Sequence, residues 1–393
     1  MENMKSQKKI MLLVPLLDQG GLERICALTA KLLNDRYNLC LVVFSTKNMI
    51  YDVSGVELID LDLGSRPGKI GKIINVFKRI RAVKKVKKQK QVEITYSFGP
   101  TANLVNVWSR VKDQIWVGIR AHATLRSGGL MKLFCKKADK VICCSEVIAE
   151  EVREAYHSED VVCLHNPCDL DKITELREAD IEERHRFFFE GNEQMLASMS
   201  RADDIKGYWH LLKGFSLLQK KMPDTKLMII GDGDFSEYIQ LAKDLGVEQK
   251  VLFTGLQKNP FCYLKKADLY VATSNTEGFP NSLLEAMAVG LPVIASNCKT
   301  GPAEILSDDF TKVRDASKVY ETEHGILMSE LGPGRNTDAS VIEEGERILA
   351  VELEKLLRDE EKLQDLRRRA AERSKYFSTE KYLQRLCKMI EDV

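Results

Sequence analysis

Seven residues separate the two glutamates of Glu277-Gly-Phe-Pro-Asn-Ser-Leu-Leu-Glu285. Carboxylates so placed can do acid–base work or accept hydrogen bonds from a hydroxyl-rich ligand. A second group lies upstream, in Ser200-Arg201-Ala-Asp-Asp-Ile-Lys206-Gly207. Its arginine offers a fork of donors that suits phosphate bidentately, its lysine is a mobile point charge, and its glycine lets a ligand approach the backbone. Gly20-Gly21, just before a helix, permits the same approach where a helix N-terminus favours negative charge. His122, in Arg120-Ala-His-Ala-Thr124, follows a strand and sits on a loop where an imidazole can meet a ligand or simply support the fold. Other patterns are weaker. Gly231-Asp-Gly233 lacks the third glycine of a dinucleotide fingerprint, because Ser236 stands there, and Gly68-Lys69-Ile70 lacks the spacer and hydroxyl of a P-loop. Three Asp-x-Asp matches (60/62, 169/171, 232/234) have no histidine–carboxylate cluster at metal spacing around them, so no obligatory metal is expected.

The elements that must position these residues alternate strand and helix. Residues 269–273 read as a strand and residues 283–288 as a helix, with Asn281 or Ser282 as its N-cap and Gly290 at its C-cap. Pro292 then stops the helix, and 292–296 reads as the next strand. Glu277 therefore falls on a loop at the carboxyl end of a strand, the edge where ligands bind in open α/β sheets. The first half reads as strands at 10–15, 39–44, 92–96, 116–120 and 140–144, with a helix at 22–33. A charged stretch at 166–192 reads as a connection. The second half repeats the alternation with strands at 195–199, 226–230 and 251–254 and helices at 208–220 and 235–245, and 341–393 reads as polar helix. Such alternation indicates doubly wound parallel sheets.

At 393 residues, 44% hydrophobic and 30% charged, the chain is expected to form two domains of a soluble α/β protein. The longest apolar run, 10–17, is too short to span a bilayer. It follows Lys8-Lys9 but lacks a small-residue cleavage site, so it is read as a buried strand rather than a signal peptide. Ten cysteines without a C-x-x-C pair fit reduced thiols. Net charge is +1, yet residues 64–90 hold eleven Lys/Arg and no acid. Within that stretch Ile70, Ile73, Ile74, Phe77, Ile80 and Val83 recur at helical spacing. Two readings stand: a solvated helix packed by its apolar stripe, or a helix that also meets anionic lipid. Nucleic acid is not expected, for want of a binding motif and interleaved aromatics.

Taken together, these residues resemble the retaining group-one glycosyltransferases of family four, which have the GT-B fold. Gln19-Gly20-Gly21-Leu22-Glu23-Arg24 resembles the family's Gly-Gly-x-Glu-Arg loop, and Asn166-Pro167 its domain crossover. Arg201 and Lys206-Gly207 are similar to its diphosphate-binding pair, Glu277 to Glu285 to its Glu-x7-Glu signature, and Gly301-Pro-Ala-Glu-Ile305 to a run seen in enzymes of bacterial surface polysaccharide. The resemblance implies two Rossmann-like domains facing a deep cleft: an acceptor domain at 1–165, a donor domain at 166–372, and a C-terminal helix at 373–393 returning to the first. It implies that Arg201 and Lys206 hold the diphosphate and that Glu285 accepts hydrogen bonds from the ribose. Glu277 would lie near the transferred sugar with Gly278, Phe279, Asn281 and Ser282. Leu256 would border the base, Gly20 and Gly21 would approach the donor, and His122 would contact donor or acceptor. Retention, by front-face attack, needs no carboxylate nucleophile. Ser200 departs from the glycine usual before the arginine, and 307–324 and 332–336 look like local elaborations.

The expected activity is transfer of a hexose or N-acetylhexosamine from a nucleotide sugar, UDP-linked, to a growing glycan on a polyprenyl diphosphate carrier. The expected place is the cytoplasm, on the inner face of the membrane. No cofactor is expected, since the nucleotide sugar is a substrate. Two other classes share the paired glutamates or the fold. A glycoside hydrolase would release sugar without a nucleotide product, and a non-catalytic nucleotide-sugar sensor would bind UDP without turnover.

Overall fold

The computed structural model describes residues 6–393. The chain divides into two compact units, one of Met1–Pro167 with Thr379–Val393 and one of Cys168–Ser378. The crossings thus fall at 167/168 and 378/379. The helix Glu360–Ser374 stays in the second unit, and only Thr379–Glu391 belongs to the first.

The first unit is built on seven parallel strands: β1 (Ser6–Val14), β2 (Tyr37–Val43), β3 (Glu57–Asp60), β4 (Ile94–Phe98), β5 (Gln114–Ile119), β6 (Lys140–Cys143) and β7 (Val161–Cys163). Their order is β3-β2-β1-β4-β5-β6-β7. Helices cover both faces, so the central strands are continuous apolar runs. Ile10 to Val14 of β1 are at most 2% exposed. The C-terminal helix Thr379–Glu391 adds Tyr382, Leu383, Leu386, Cys387 and Ile390 to this core. The Tyr382 hydroxyl meets Thr29 Oγ1 at 2.8 Å, which ties the helix to Gly21–Asn34.

The second unit repeats the plan with β8 (Gln194–Met199), β9 (Thr225–Ile230), β10 (Val251–Gly255), β11 (Leu269–Ala272), β12 (Val293–Ser296), β13 (Tyr320–Glu321) and β14 (Ile326–Met328). The order is β10-β9-β8-β11-β12-β14-β13, parallel except for the two-residue β13. In each sheet the winding reverses beside the first strand, between β1 and β4 and between β8 and β11. The loops leaving the carboxyl ends of those strands part there and open a crevice.

The basic helix Lys69–Lys90 does not pack by an apolar stripe along its length. Its buried positions are Asn75, Arg79, Val83 and Lys87, spaced by four. Arg79 donates from Nε to the Leu63 carbonyl at 2.8 Å and stacks over Phe44. Lys87 is buried against Asp113 at 2.8 Å and donates to Asn106 Oδ1 at 2.8 Å. Burial lowers the Lys87 ammonium to about 8, and the Asp113 charge works against that shift. Lys87 is therefore an internal anchor rather than part of the basic surface. Ile70, Ile73, Ile74 and Phe77 face outward, 45–75% exposed. The packing reading holds only from Ile80 onward, because the partners this helix meets in its first turns are carbonyls and one aromatic face. Among the described residues no helix is long and apolar enough to cross a membrane. The ten cysteines form no disulfide among the described residues.

Candidate active site

In the second unit the switch point brings together the two loops singled out from sequence. The loop after β8 runs from Ser200 to Gly207 and ends in a short 3-10 turn, Asp204–Lys206. Asp203 caps that turn by accepting from the Ile205 amide at 3.2 Å. The loop after β11 runs from Thr273 to Pro280. Three contacts join the loops: the Asn275 amide donates to the Ile205 carbonyl at 2.7 Å, Thr273 Oγ1 donates to the Lys206 carbonyl at 3.1 Å, and Lys206 Nζ donates to Glu277 Oε1 at 2.7 Å. Such an approach requires glycine at 207. Gly207 has φ +62°, and a Cβ there would strike the Thr273 carbonyl oxygen.

The Lys206 and Glu277 side chains are only 16% and 12% exposed, so their attraction is weakly screened. Arg201 is exposed on the same loop, and its guanidinium has no hydrogen-bond or ion-pair partner among the described residues. Beside the pair lies a crevice lined by Ser198, Ser200, Lys206, Tyr270, Thr273, Glu277, Pro280, Ser282 and Ser296. The Ser296 hydroxyl is buried without a protein partner. The arrangement offers a free guanidinium, an ammonium held by a carboxylate, and several hydroxyls. It can hold an anionic group and orient a polyhydroxyl group next to it.

The helix Asn281–Val289 follows, with Gly290 (φ +97°) at its C-cap. Its N-cap is Pro280, with no side-chain cap. This corrects the expectation of Asn281 or Ser282: both already lie inside the helix, Asn281 as its first residue. Glu285 is 5% exposed on that helix. Gly278 and Phe279 form the turn before it, Phe279 packing its ring 5.4 Å from Phe377. Leu256 is half exposed just beyond β10, at the same carboxyl edge.

Sequence reasoning missed what braces this turn. Thr300 Oγ1 donates to the Glu277 carbonyl. Gly301 (φ +97°) has no room for a Cβ against Pro280, which brings the loop after β12 onto Gly278-Phe279-Pro280. The Gly-Pro step before the helix Pro302–Leu306 was the available signal. Sequence spacing also gave no sign that His210, Glu343 and Glu346 come together. Hydrogen bonds account for that cluster. His210 meets Glu346 Oε1 through Nδ1 at 3.0 Å and the Gly332 carbonyl through Nε2 at 3.1 Å, while Glu346 closes a capping box on the Glu343 amide at 2.8 Å.

The remaining expected residues belong to the first unit. Gly20 caps the helix Gly21–Asn34, and its backbone exchanges hydrogen bonds with the Tyr51 hydroxyl. A Cβ at Gly20 would collide with the Glu23 carboxylate. His122 opens a 3-10 helix after β5, and its Nε2 lies 3.0 Å from Glu151 Oε2, so a carboxylate orients the ring.

Comparison with known proteins matches both units. The family "Glycosyl transferases group 1" matches residues 180–318, and "Glycosyltransferase Family 4" matches residues 19–172. An uncharacterized glycosyltransferase of Methanocaldococcus jannaschii is 31% identical over 66% of this chain and 65% of its own length, so the match spans just under two thirds of that relative. The N-acetylgalactosamine-N,N'-diacetylbacillosaminyl-diphospho-undecaprenol 4-alpha-N-acetylgalactosaminyltransferase of Campylobacter jejuni is 25% identical over 77% of this chain and 84% of its own. Anabaena HepE, whose crystal structures include complexes with UDP and with UDP-glucose, superposes with a TM-score of 0.74 over 98% of this chain and 100% of its own, at 18% identity.

Proposed function

The chain belongs to the group-one glycosyltransferases of family four, and we propose that it moves a hexose or N-acetylhexosamine from a UDP-linked donor to a growing surface glycan, with retention at the anomeric carbon. The observation that carries this reading is the Lys206–Glu277 pair at 2.7 Å, at the switch point of the second sheet, on the same loop as Arg201, whose guanidinium has no partner among the described residues. Breaking a sugar–diphosphate bond develops negative charge on the leaving phosphate. Arg201 and Lys206 supply fixed positive potential there, and one such donor is typically worth roughly 3–4 kcal/mol of barrier. Glu277 holds the ammonium in place and presents its second oxygen toward the transferred sugar. Glu285 accepts from the ribose, the turn Gly278 to Ser282 lies along the donor, and Leu256 borders the base. Gly20, Gly21 and His122 serve the donor or acceptor from the first unit. No step in this account needs a metal or other cofactor.

The acceptor in this reading is carried on a polyprenyl diphosphate at the inner face of the membrane. The diphospho-undecaprenol in the name of the Campylobacter relative supports it, and so does the outward row Ile70, Ile73, Ile74 and Phe77 on a helix with no acid. Exposed apolar side chains amid lysines suit an anionic bilayer surface. Flotation with vesicles containing phosphatidylglycerol tests this part. Binding is expected, and it should fall when Lys84, Lys85 and Lys88 are reversed in charge or when Ile73 and Phe77 become serine; unchanged flotation contradicts it. A thermal-shift panel of nucleotides and nucleotide sugars tests the donor. A true ligand at about 100 times its dissociation constant stabilises by about 2.7 kcal/mol. Stabilisation by UDP or a UDP-sugar is expected, and no shift with any nucleotide contradicts the reading.

A further inference from the structure

The segment Gly332-Pro-Gly-Arg335-Asn336, a local elaboration in sequence, reaches the turn that carries Lys206. Arg335 donates from Nη1 to Asp204 Oδ2 at 3.2 Å and is ion-paired with Glu237. Asp204 opens the 3-10 turn and Lys206 closes it. The other Asp204 oxygen accepts from the Tyr238 hydroxyl at 3.2 Å. The segment is secured at its start, where the Gly332 carbonyl accepts from His210 Nε2. The chain beyond it is secured at the capping box of Glu343 and Glu346, where Glu346 also meets His210 Nδ1 and Lys213 Nζ. His210 itself lies on the helix Tyr208–Gln219 that follows the Lys206 turn. The loop bearing Arg335 and the loop bearing Lys206 are thus fastened to the same helix.

Carboxylates outnumber cations around that turn. The loop after β8 sets Asp203 and Asp204 against Arg201 and Lys206, and Lys206 is already paired with Glu277. The loop after β9 adds Asp232 and Asp234 and touches the first loop, the Ala202 amide donating to the Asp232 carbonyl at 2.8 Å. Glu237 stands one turn further on. Carboxylates within a Debye length of a diphosphate site repel the ligand unless cations offset them.

Resting on the donor-binding reading above, we propose that Arg335 is a positioning residue for the diphosphate: it neutralises Asp204, at the start of the Asp204–Lys206 turn, so that Lys206 and Arg201 meet the leaving phosphate without a competing carboxylate. Arg335 does not touch the donor in this account. It acts through Asp204, and its role is one of charge.

The test is titration of UDP into wild-type protein and into Arg335→Ala, Asp204→Asn and the double variant, at low and high salt, with melting temperatures of each. Arg335→Ala is expected to weaken UDP binding about tenfold at low salt and less at high salt. Asp204→Asn should bind at least as tightly as wild type, and the double variant should return to within about threefold of it, because the carboxylate on the Lys206 turn is gone and only Glu237, on the next helix, is left without Arg335. Arg335→Lys should retain most of the affinity. Wild-type affinity in Arg335→Ala, or a double variant as weak as Arg335→Ala alone, overturns the proposal. If Arg335→Ala fails to fold, the double variant and Asp204→Asn still decide it, since a purely structural role predicts loss of binding in both. Absence of UDP binding by the wild-type protein would instead overturn the donor reading on which the proposal rests.

Discussion

Lys206 and Glu277 stay 2.7 Å apart because backbone as well as side chains joins their loops. Gly207 is the residue that permits this. A Gly207→Ala change would add a Cβ against the Thr273 carbonyl in a left-handed conformation, and strain of that kind costs about 1–3 kcal/mol. The loops should part, so nucleotide affinity is expected to fall together with the melting temperature, as calorimetry and UDP titration would record. Lys206→Ala should behave differently. It leaves the loops joined through Asn275 and Thr273 and removes only the ammonium, so kcat for transfer is expected to drop about 10²–10³-fold while the fold persists. A kinetic assay of UDP release checks it; a kcat within threefold of wild type would remove Lys206 from the reaction.

The helix Lys69–Lys90 combines two surfaces that its sequence does not separate. Its inner row is anchored by the buried Lys87–Asp113 pair, which Thr95 Oγ1 supports by donating to Asp113 at 2.7 Å. Removing one member of such a pair leaves a buried unpaired charge, so Asp113→Ala should destabilise the first unit by roughly 3–5 kcal/mol, whereas Lys87→Met with Asp113→Leu should cost less. Denaturant unfolding distinguishes the two, and equal losses would contradict the anchoring role. Strands β1, β2, β4, β5 and β6 and their counterparts β8 to β12 were legible because buried parallel strands are nearly unbroken apolar runs. The edge strands β3, β7 and β13 and the three-residue β14 beside β13 are short, and Glu57–Asp60 and Tyr320–Glu321 carry charges, so their apolar signal is weak. The loop pair of Lys206 and Glu277 was legible through glycine, proline and charge at strand ends. The supports from Thr273, Thr300 and Arg335 were not, since a single hydroxyl or arginine has meaning only once the sheet order places it beside the site. The buried row on Lys69–Lys90 was hidden for a related reason: three of its four members are polar and find their partners outside the helix.

Across the whole molecule the GT-B plan of two Rossmann-like domains repeats one device, a ligand edge where the strand order reverses. The first unit is completed by the C-terminal helix Thr379–Glu391, which contributes Tyr382, Leu386 and Ile390 at 3% exposure or less. Each buried aliphatic side chain stabilises by about 1.5–3 kcal/mol, so removal of residues 379–393 should melt the first unit and leave the second folded and able to bind UDP. Calorimetry should then show one transition in place of two, and a truncated protein with both transitions intact would contradict it. The central claim is that a nucleoside diphosphate is held by the Arg201–Lys206 turn of the second unit. Isothermal titration of UDP into wild-type protein and Lys206→Ala tests it most directly. The account predicts one site per chain in the wild type, weakened about 10- to 100-fold in the variant, the loss of a charge-assisted contact. No UDP binding by the wild type, or equal affinity in Lys206→Ala, would contradict it.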